Sequence, residues 1–221
     1  MNLLFLHGAG GCSRVWTFQK RVFGGQYMEL HEGGGKRTIE EYAEFVREYV
    51  ERKNLGCIVP VGHSMGGAIA LMYALKYETE RLVLVGTGAR LRVAPEILDS
   101  LAKDYPSACR MVLEYAFAQN PPESLFRMAL ADMESVPPPV TLADFEACNK
   151  YDVTARLGEI RVPTLVLCGM LDRMTPPKYS QFLSERVADS RLHLIEGAGH
   201  MVMLEKPNEV NNIMKDFLEM R

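Results

Sequence analysis

The sequence predicts an α/β fold, in which a doubly wound, mostly parallel sheet of about six strands carries helices on both faces. Two observations lead to this prediction. Short apolar runs alternate with helical patterns, and these runs are apolar at every position, as in strands covered on both sides. The length of 221 residues fits one domain, and 48% hydrophobic residues suffice to bury a core.

Six runs are predicted as strands. Four are strongly apolar and lie at residues 2–6, 57–61, 81–85 and 163–168. Two weaker runs lie at residues 26–30 and 191–195. Pro60 falls inside the second strong run and has no N–H to donate to a neighbouring strand. We therefore expect a bulge or a missing hydrogen bond at this proline.

Helices are predicted between these strands. Thr38 and Glu41 form a capping box that opens a helix ending near Lys53. A second helix is predicted over residues 65–77. Prolines at the first helical position predict the starts of two more, which are the helix at 176–188 and the C-terminal helix from Pro207.

The segment from about 90 to 150 departs from the alternation. It has no strand pattern, and its helical stretches are separated by prolines at positions 95, 106, 121–122 and 137–139. We expect a helical cap inserted into a single domain whose core comprises residues 1–89 and 151–221. The apolar side chains of the cap are expected to form the inner faces of its packed helices, and some of them a pocket wall.

Composition excludes several classes of function. The net charge of −3, from 25 basic and 28 acidic residues, gives no basic face for nucleic acid. No apolar run approaches the roughly 18–20 residues of a membrane span, and no basic leader precedes the first strand. The five cysteines are scattered without C-x-x-C spacing, which indicates reduced thiols in a cytoplasmic protein. No metal-ligand spacing or dinucleotide fingerprint is evident, so we expect neither a metal nor a cofactor.

One motif carries the chemistry. Residues 62–66 read Gly-His-Ser-Met-Gly, a G-x-S-x-G pattern between the predicted strand at 57–61 and the predicted helix at 65–77. A sharp strand-to-helix turn of this kind projects the serine hydroxyl above the sheet, and the small flanking residues let strand and helix approach. The motif therefore predicts that Ser64 is a nucleophile.

With this motif the chain resembles the α/β-hydrolase family over nearly its whole length. The other matching segments are His7-Gly8 after the first strand, LCGMLDRMTPP at 167–177 and EGAGHMVMLEKP at 196–207. Family members carry their catalytic residues in the order serine, acid, histidine. The resemblance therefore implies Asp172 as the acid and His200 as the base. The alternatives for the acid are Asp144 and Asp152.

The resemblance also implies the surroundings of the nucleophile. The backbone N–H groups of Ala9 and Met65 would form an oxyanion hole, with Gly10 as the alternative to Ala9. His7 is expected to shape this loop, and His63 to support the turn at the serine. The residues expected to line the substrate pocket are Trp16, Phe117, Phe126 and Met201.

Departures from the family pattern reduce the number of reactions that the protein could catalyse. The antiparallel hairpin that usually opens the fold is missing, so the strand at 26–30 is expected at a sheet edge. Serine at position 64 argues against the branches that use an aspartate nucleophile, and Ala9 with Met201 argues against hydroxynitrile lyases. We expect a carboxylic ester hydrolase that forms an acyl-enzyme from small to medium uncharged esters. The alternatives are a carbon–carbon bond hydrolase, a cofactor-free perhydrolase and a slowly hydrolysing small-ligand receptor. The sequence does not determine the oligomeric state, which is either a monomer or a homodimer.

Overall fold

A computed structural model describes residues 1–220, which form a single six-stranded sheet. The strands are β1 (Asn2–Leu6), β2 (Gln26–Met28), β3 (Ile58–His63), β4 (Leu82–Val85), β5 (Thr164–Gly169) and β6 (Ser190–Ile195). Their order across the sheet is β2-β1-β3-β4-β5-β6, and every neighbouring pair is parallel. The predicted fold class is therefore confirmed, and the weak strand β2 lies at the edge as expected.

Helices connect these strands. In chain order they are α1 (Ile39–Arg52), α2 (Met65–Lys76), α3 (Pro95–Lys103), α4 (Tyr105–Ala116), α5 (Glu123–Glu134), α6 (Pro138–Lys150), α7 (Pro177–Arg186), α8 (Val202–Glu205) and α9 (Pro207–Glu219). Within the described part of the chain, no helix has the length and apolar composition of a membrane-crossing segment. The four helices α3–α6 separate β4 from β5, in the segment where the sequence shows no strand pattern.

The start of α1 forms half of the predicted capping box. The Thr38 hydroxyl accepts a hydrogen bond from the Glu41 N–H at 3.2 Å. The Glu41 carboxylate, however, accepts from the N–H of Arg37 at 2.8 Å and not from that of Thr38. The helix still gains two capped N–H groups, because the glutamate reaches one residue further back than the motif implies.

Both faces of the inner strands β1, β3, β4 and β5 are buried, which explains why these strands are almost entirely apolar. The outer strand β6 is partly exposed and carries Arg191 and His193. Along β1, Leu4 and Leu6 pack with α1 and α2 on one face. The alternate residues Leu3 and Phe5 pack with side chains of α4, α5 and α9 on the other face. Successive side chains of a strand point to opposite faces, so a strand covered on both sides has no polar position.

Pro60 interrupts the sheet on one side only. Toward β1 the register is continuous, and Pro60 lies opposite Leu4. Toward β4 the pairing passes from Ile58 with Thr79 directly to Val61 with Val83. Between these two pairs, β3 advances three residues and the segment that leads into β4 advances four. One extra residue on one side of a strand pair is the signature of a bulge. The predicted irregularity at the proline is confirmed.

The backbones of β1, β3 and α2 approach closely at two glycines. A Cβ atom on Gly62 would lie 2.2 Å from the carbonyl oxygen of Gly66. A Cβ atom on Gly66 would lie 2.2 Å from the carbonyl oxygen of Leu6. Neither contact can be relieved by rotating a side chain, because the clashing atoms belong to the backbone.

We expect Gly66→Ala to lower the free energy of unfolding by about 3 kcal/mol or more, since the added methyl group forces β1 and α2 apart. Gly158→Ala is the matched control, because a Cβ there meets no atom within 4 Å. Urea unfolding of both variants measures the effect. Equal midpoints would show that the close approach does not constrain the fold.

A buried carboxylate joins α6 to the rest of the molecule. Asp144 is only 1% exposed, and it accepts hydrogen bonds from the Tyr42 hydroxyl of α1 and from the Gly10 N–H at 2.9 Å. Burial raises the pKa of Asp144 to about 6, although both hydrogen bonds and nearby His31 favour the ionised form. A raised pKa means that ionising this carboxyl opposes folding.

The sign of this effect predicts a pH dependence of stability. Below about pH 3 the carboxyl is neutral in both folded and unfolded chains, whereas above about pH 7 it is ionised in both and destabilises the fold by roughly 3 kcal/mol. We therefore compare the free energy of unfolding of Asp144→Asn with that of the unmodified protein at each pH. The difference, variant minus unmodified protein, should increase by up to roughly 3 kcal/mol between pH 4 and pH 7. Urea titrations at both pH values test this expectation, and a difference that does not change with pH would contradict it.

Candidate active site

Ser64 occupies a strained turn between β3 and α2. Its φ of +53° and ψ of −116° are unusual for a residue with a side chain. The Ser64 N–H donates to the carbonyl of Val85 at 3.0 Å, and its own carbonyl accepts from the Thr87 hydroxyl at 2.8 Å. These two bonds to the end of β4 hold the strained backbone, as the nucleophile motif requires.

Asp172 and His200 meet at the carboxyl ends of β5 and β6. The Asp172 Oδ2 atom lies 2.8 Å from Nδ1 of His200, and both residues are buried. An ionised carboxylate at this position selects the histidine tautomer with its proton on Nδ1, so Nε2 keeps its lone pair. A histidine held in this way can act as a base through Nε2.

The carboxylate of Asp172 is held in its charged form. Burial opposes ionisation, but His200 and the surrounding hydrogen-bond donors outweigh it and lower the pKa of Asp172. The backbone N–H groups of Met174 and Thr175 donate to Oδ1 at 2.9 and 2.8 Å. The Thr175 hydroxyl donates to Oδ2 at 2.8 Å and lies 3.1 Å from Nδ1 of His200. Thr175 could not be recognised as a site residue from the sequence, because a threonine after an aspartate carries no signal of its own.

The turn that carries His200 is tied to neighbouring elements. Its N–H donates to the carbonyl of Ala116, at the end of α4, at 2.7 Å. Burial lowers the pKa of His63 well below its usual value, so the ring is neutral. The N–H at Nε2 of His63 donates to the carbonyl of His200 at 3.1 Å. Glu205 accepts from the N–H groups of Gly199 and Ala118 at 3.0 and 2.9 Å. His63 therefore supports the turn that carries His200.

His7 shapes the loop after β1, as expected. Burial lowers the pKa of His7 to about 4, so the ring is neutral. Its Nε2 accepts from the N–H of Leu30 at 2.9 Å, which leaves Nδ1 to donate to the carbonyl of Gly8 at 2.9 Å. Both ring nitrogens are therefore used in fixing the loop.

The hydrogen bonds of this loop distinguish the two candidate oxyanion donors. The N–H of Gly10 already donates to Asp144 at 2.9 Å. The N–H groups of Ala9 and Met65 have no acceptor among residues 1–220. The geometry thus favours Ala9 over Gly10. The Met65 amide lies at the N-terminus of α2, where the helix dipole favours negative charge.

Ser64 and His200 line one cavity of about 110 Å³. Its wall is largely apolar and comes from the loops after β1, β4, β5 and β6 and from helices α4, α5 and α6. The wall includes Ala9, Val112, Leu113, Ala116, Met128, Ala129, Met133, Phe145 and Met201. Of the four residues predicted to line the pocket, Met201 does so.

The other three predicted pocket residues lie elsewhere. Trp16 is fully buried, and its ring packs edge-on against Phe5 at 5.3 Å between centroids, so it belongs to the core behind the site. Phe117 and Phe126 lie against each other in a separate depression beside Arg173. Phe117 follows directly after the last turn of α4 and is itself buried in the core. None of these three residues lines the cavity that contains Ser64.

The two alternative acids, Asp144 and Asp152, make their hydrogen bonds to residues other than His200. Asp144 binds Gly10 and Tyr42, and Asp152 accepts from the N–H of Thr154 at 3.0 Å. Of the three candidate aspartates, Asp172 is the one hydrogen-bonded to His200.

A group of possible metal ligands, which sequence spacing did not predict, lies behind the loop after β1. The side-chain ligand atoms of His7, Glu29 and His31 lie within 4.8 Å of one another. Both nitrogens of His7 are already hydrogen-bonded to the backbone, so this histidine has no free lone pair for a metal. The arrangement is better explained as part of the support for the loop.

Comparison with known proteins places the chain in a family. Residues 3–213 match the sequence model described as the alpha/beta hydrolase family. The 2-hydroxy-6-oxo-6-phenylhexa-2,4-dienoate hydrolase of Comamonas testosteroni is 30% identical over 189 residues, which cover 78% of this chain and 64% of that enzyme. A proline iminopeptidase of Thermoplasma volcanium is 27% identical over an alignment covering 99% of this chain and 88% of the relative.

Solved structures agree with this relationship. A thermophilic esterase is 34% identical, with a TM-score of 0.87 over 99% of this chain and 89% of its own. An esterase from Exiguobacterium antarcticum has the same fold, with a TM-score of 0.89 at 20% identity over 100% of this chain and 92% of its own. The relatives are hydrolases and esterases, which supports a hydrolase activity here. The chain belongs to the alpha/beta hydrolase family.

Proposed function

We propose that the protein is a serine carboxylic ester hydrolase that acts on small to medium uncharged esters. The observation that carries this proposal is the arrangement of Ser64, His200 and Asp172. The serine and the histidine line one cavity, and the aspartate holds the histidine through Nδ1. This arrangement leaves Nε2 of His200 as the proton acceptor that a serine nucleophile needs.

Acylation begins when the Ser64 hydroxyl attacks the ester carbonyl and His200 accepts its proton at Nε2. The tetrahedral intermediate places its negative oxygen between the N–H groups of Ala9 and Met65. When the intermediate collapses, the bond to the alcohol breaks, and His200 returns the proton to the departing alkoxide. Asp172 stabilises the imidazolium that exists between these two proton transfers.

Deacylation repeats these steps with water as the nucleophile. His200 removes a proton from the water molecule as it attacks the acyl carbonyl of Ser64. The second tetrahedral intermediate uses the same two N–H donors. Its collapse releases the carboxylic acid and returns the proton to the serine oxygen, so the enzyme is regenerated without any cofactor.

The size and lining of the cavity support small, uncharged substrates. Pockets for drug-sized ligands measure roughly 300–1,000 Å³, and this cavity, of about 110 Å³, is smaller. The wall contains two charged side chains, Asp132 and Arg92. Asp132 is buried and is paired with Arg14, whereas Arg92 is exposed and donates to the carbonyl of Asn149 at 3.1 Å. We propose that helices α3–α6 form a cap whose helices α4, α5 and α6 supply one side of this wall and set the chain-length preference.

Ser64→Ala is expected to lower the hydrolysis of p-nitrophenyl acetate and butyrate by at least about 10³-fold, because no other group on the cavity wall replaces the activated hydroxyl. Labelling by a fluorophosphonate, followed by mass spectrometry of the modified peptide, should be lost in the same variant. Ser124→Ala, an exposed serine of α5, is the control and should behave like the unmodified protein. Undiminished turnover by Ser64→Ala would refute the proposed nucleophile.

Asp172→Asn is expected to reduce kcat by roughly 10³- to 10⁴-fold, since an amide no longer selects the correct histidine tautomer or stabilises the imidazolium. KM should change little, because Asp172 does not line the cavity. Asp152→Asn provides the comparison, as it removes one carboxylate at an exposed position. A larger loss in the Asp152 variant would overturn the assignment of the acid.

A carbon–carbon bond hydrolase is the second candidate, and it is favoured by the similarity to the Comamonas enzyme. The same three residues would serve, with a carbanion as the leaving group in place of an alkoxide. Parallel assays with 2-hydroxy-6-oxo-6-phenylhexa-2,4-dienoate and with a p-nitrophenyl ester series distinguish the two functions. A higher kcat/KM for the dienoate would replace the esterase proposal.

A further inference from the structure

We propose that Asp144 is a positioning residue for the oxyanion hole. Its buried carboxylate holds the N–H of Gly10 and thereby leaves the neighbouring N–H of Ala9 to bind the oxyanion. This inference rests on the proposed function, because it assigns a task within the same reaction. It concerns a charged side chain from α6 that contacts neither Ser64 nor His200.

The loop after β1 is held at Gly10 by two residues of α6. The Gly10 N–H donates to Oδ2 of Asp144 at 2.9 Å. Gly10 has a φ of +60°, and a Cβ atom at this residue would lie 2.7 Å from Cγ2 of Thr141. The helix therefore fixes the loop both by a charge-assisted hydrogen bond and by close packing.

The carboxylate itself is held in place by a chain of hydrogen bonds. The N–H of Lys36 donates to the Tyr42 hydroxyl at 3.1 Å, and this hydroxyl donates to Oδ1 of Asp144. One oxygen of Asp144 is thus anchored to α1, while the other is free to hold Gly10. A buried carboxylate with both oxygens satisfied has a single stable orientation.

Fixing the Gly10 amide also restricts the orientation of the Ala9 amide. The peptide unit between Ala9 and Gly10 is planar, so the bond to Asp144 sets the direction of the whole plane. Only the rotations about the Cα atom of Ala9 then separate this plane from the preceding one, which carries the Ala9 N–H. Oxyanion stabilisation depends on donors that are oriented before the charge develops.

The experiment compares Asp144→Ala with Asp144→Asn. We expect the alanine variant to have a kcat for p-nitrophenyl butyrate that is about 10- to 100-fold lower. This loss is smaller than the loss that follows removal of a whole oxyanion donor, because the Ala9 N–H is misoriented but still present. KM should stay within about twofold of its original value. The asparagine variant should recover most of the activity, because its amide oxygen can still accept from Gly10. Asp99→Asn is the control, since it removes an exposed aspartate from α3 in the same helical segment.

An arylboronic acid gives a readout that a purely structural role would not change. It forms a tetrahedral adduct on the serine oxygen and places a boron-bound oxygen where the oxyanion would lie. Its Ki should rise in Asp144→Ala by the same factor by which kcat/KM falls, and should stay near the original value in Asp144→Asn and Asp99→Asn. An alanine variant that folds and keeps both kcat and Ki unchanged would overturn the proposal.

Tyr42→Phe provides the test if the alanine variant does not fold. It removes only the hydroxyl that anchors Oδ1, so an intermediate loss of kcat and an intermediate rise of Ki are expected. Unchanged values of both would overturn the proposal. Retained activity in Ser64→Ala would overturn the proposed function together with this inference. Loss of activity in Ser64→Ala but not in Asp144→Ala would overturn the inference alone.

Discussion

The close backbone contact between β1, β3 and the start of α2 is the constraint on which the site depends. Gly62 and Gly66 have no Cβ atom, so the strand and helix can approach until their backbones touch. This approach forces the chain to reverse within a single residue, and Ser64 takes the strained backbone conformation that results. The turn places the serine above the carboxyl ends of the parallel strands, where the loops that carry Asp172 and His200 also emerge.

Local patterns made the sheet and the strained turn at Ser64 predictable, whereas contacts between distant segments were not predictable. Burial on both faces makes the four inner strands apolar, and the weaker runs at 26–30 and 191–195 located the two outer strands. The bond from Gly10 to Asp144 joins residues 134 positions apart, and no local pattern records it. Trp16, Phe117 and Phe126 lie outside the cavity that contains Ser64 for a related reason. An apolar side chain is recognisably buried, but the sequence does not indicate which cavity or core it faces.

Two buried carboxylates show how the surroundings decide the role of a side chain. Asp172 is bordered by His200 and three further donor groups, and its pKa is lowered. Asp144 has two hydrogen-bond donors and no cation in contact, and its pKa is raised. An acid that must stabilise a transient imidazolium has to remain ionised, so the environment of Asp172 suits that task and that of Asp144 does not. The position of Asp144, which destabilises the fold when ionised, agrees with the proposal that it holds a loop that the reaction requires.

The helices between β4 and β5 do more than enclose the cavity. Ala116 at the end of α4 accepts a hydrogen bond from the backbone of His200, and Asp144 of α6 accepts one from Gly10. The same segment supplies the apolar wall that a substrate would contact. The helices that line the cavity are therefore hydrogen-bonded to the loops that carry the proposed base and the proposed oxyanion donor. Under the proposed function, a change in the wall that displaces α4 or α6 would also move His200 or the loop after β1, so it would change turnover as well as substrate binding.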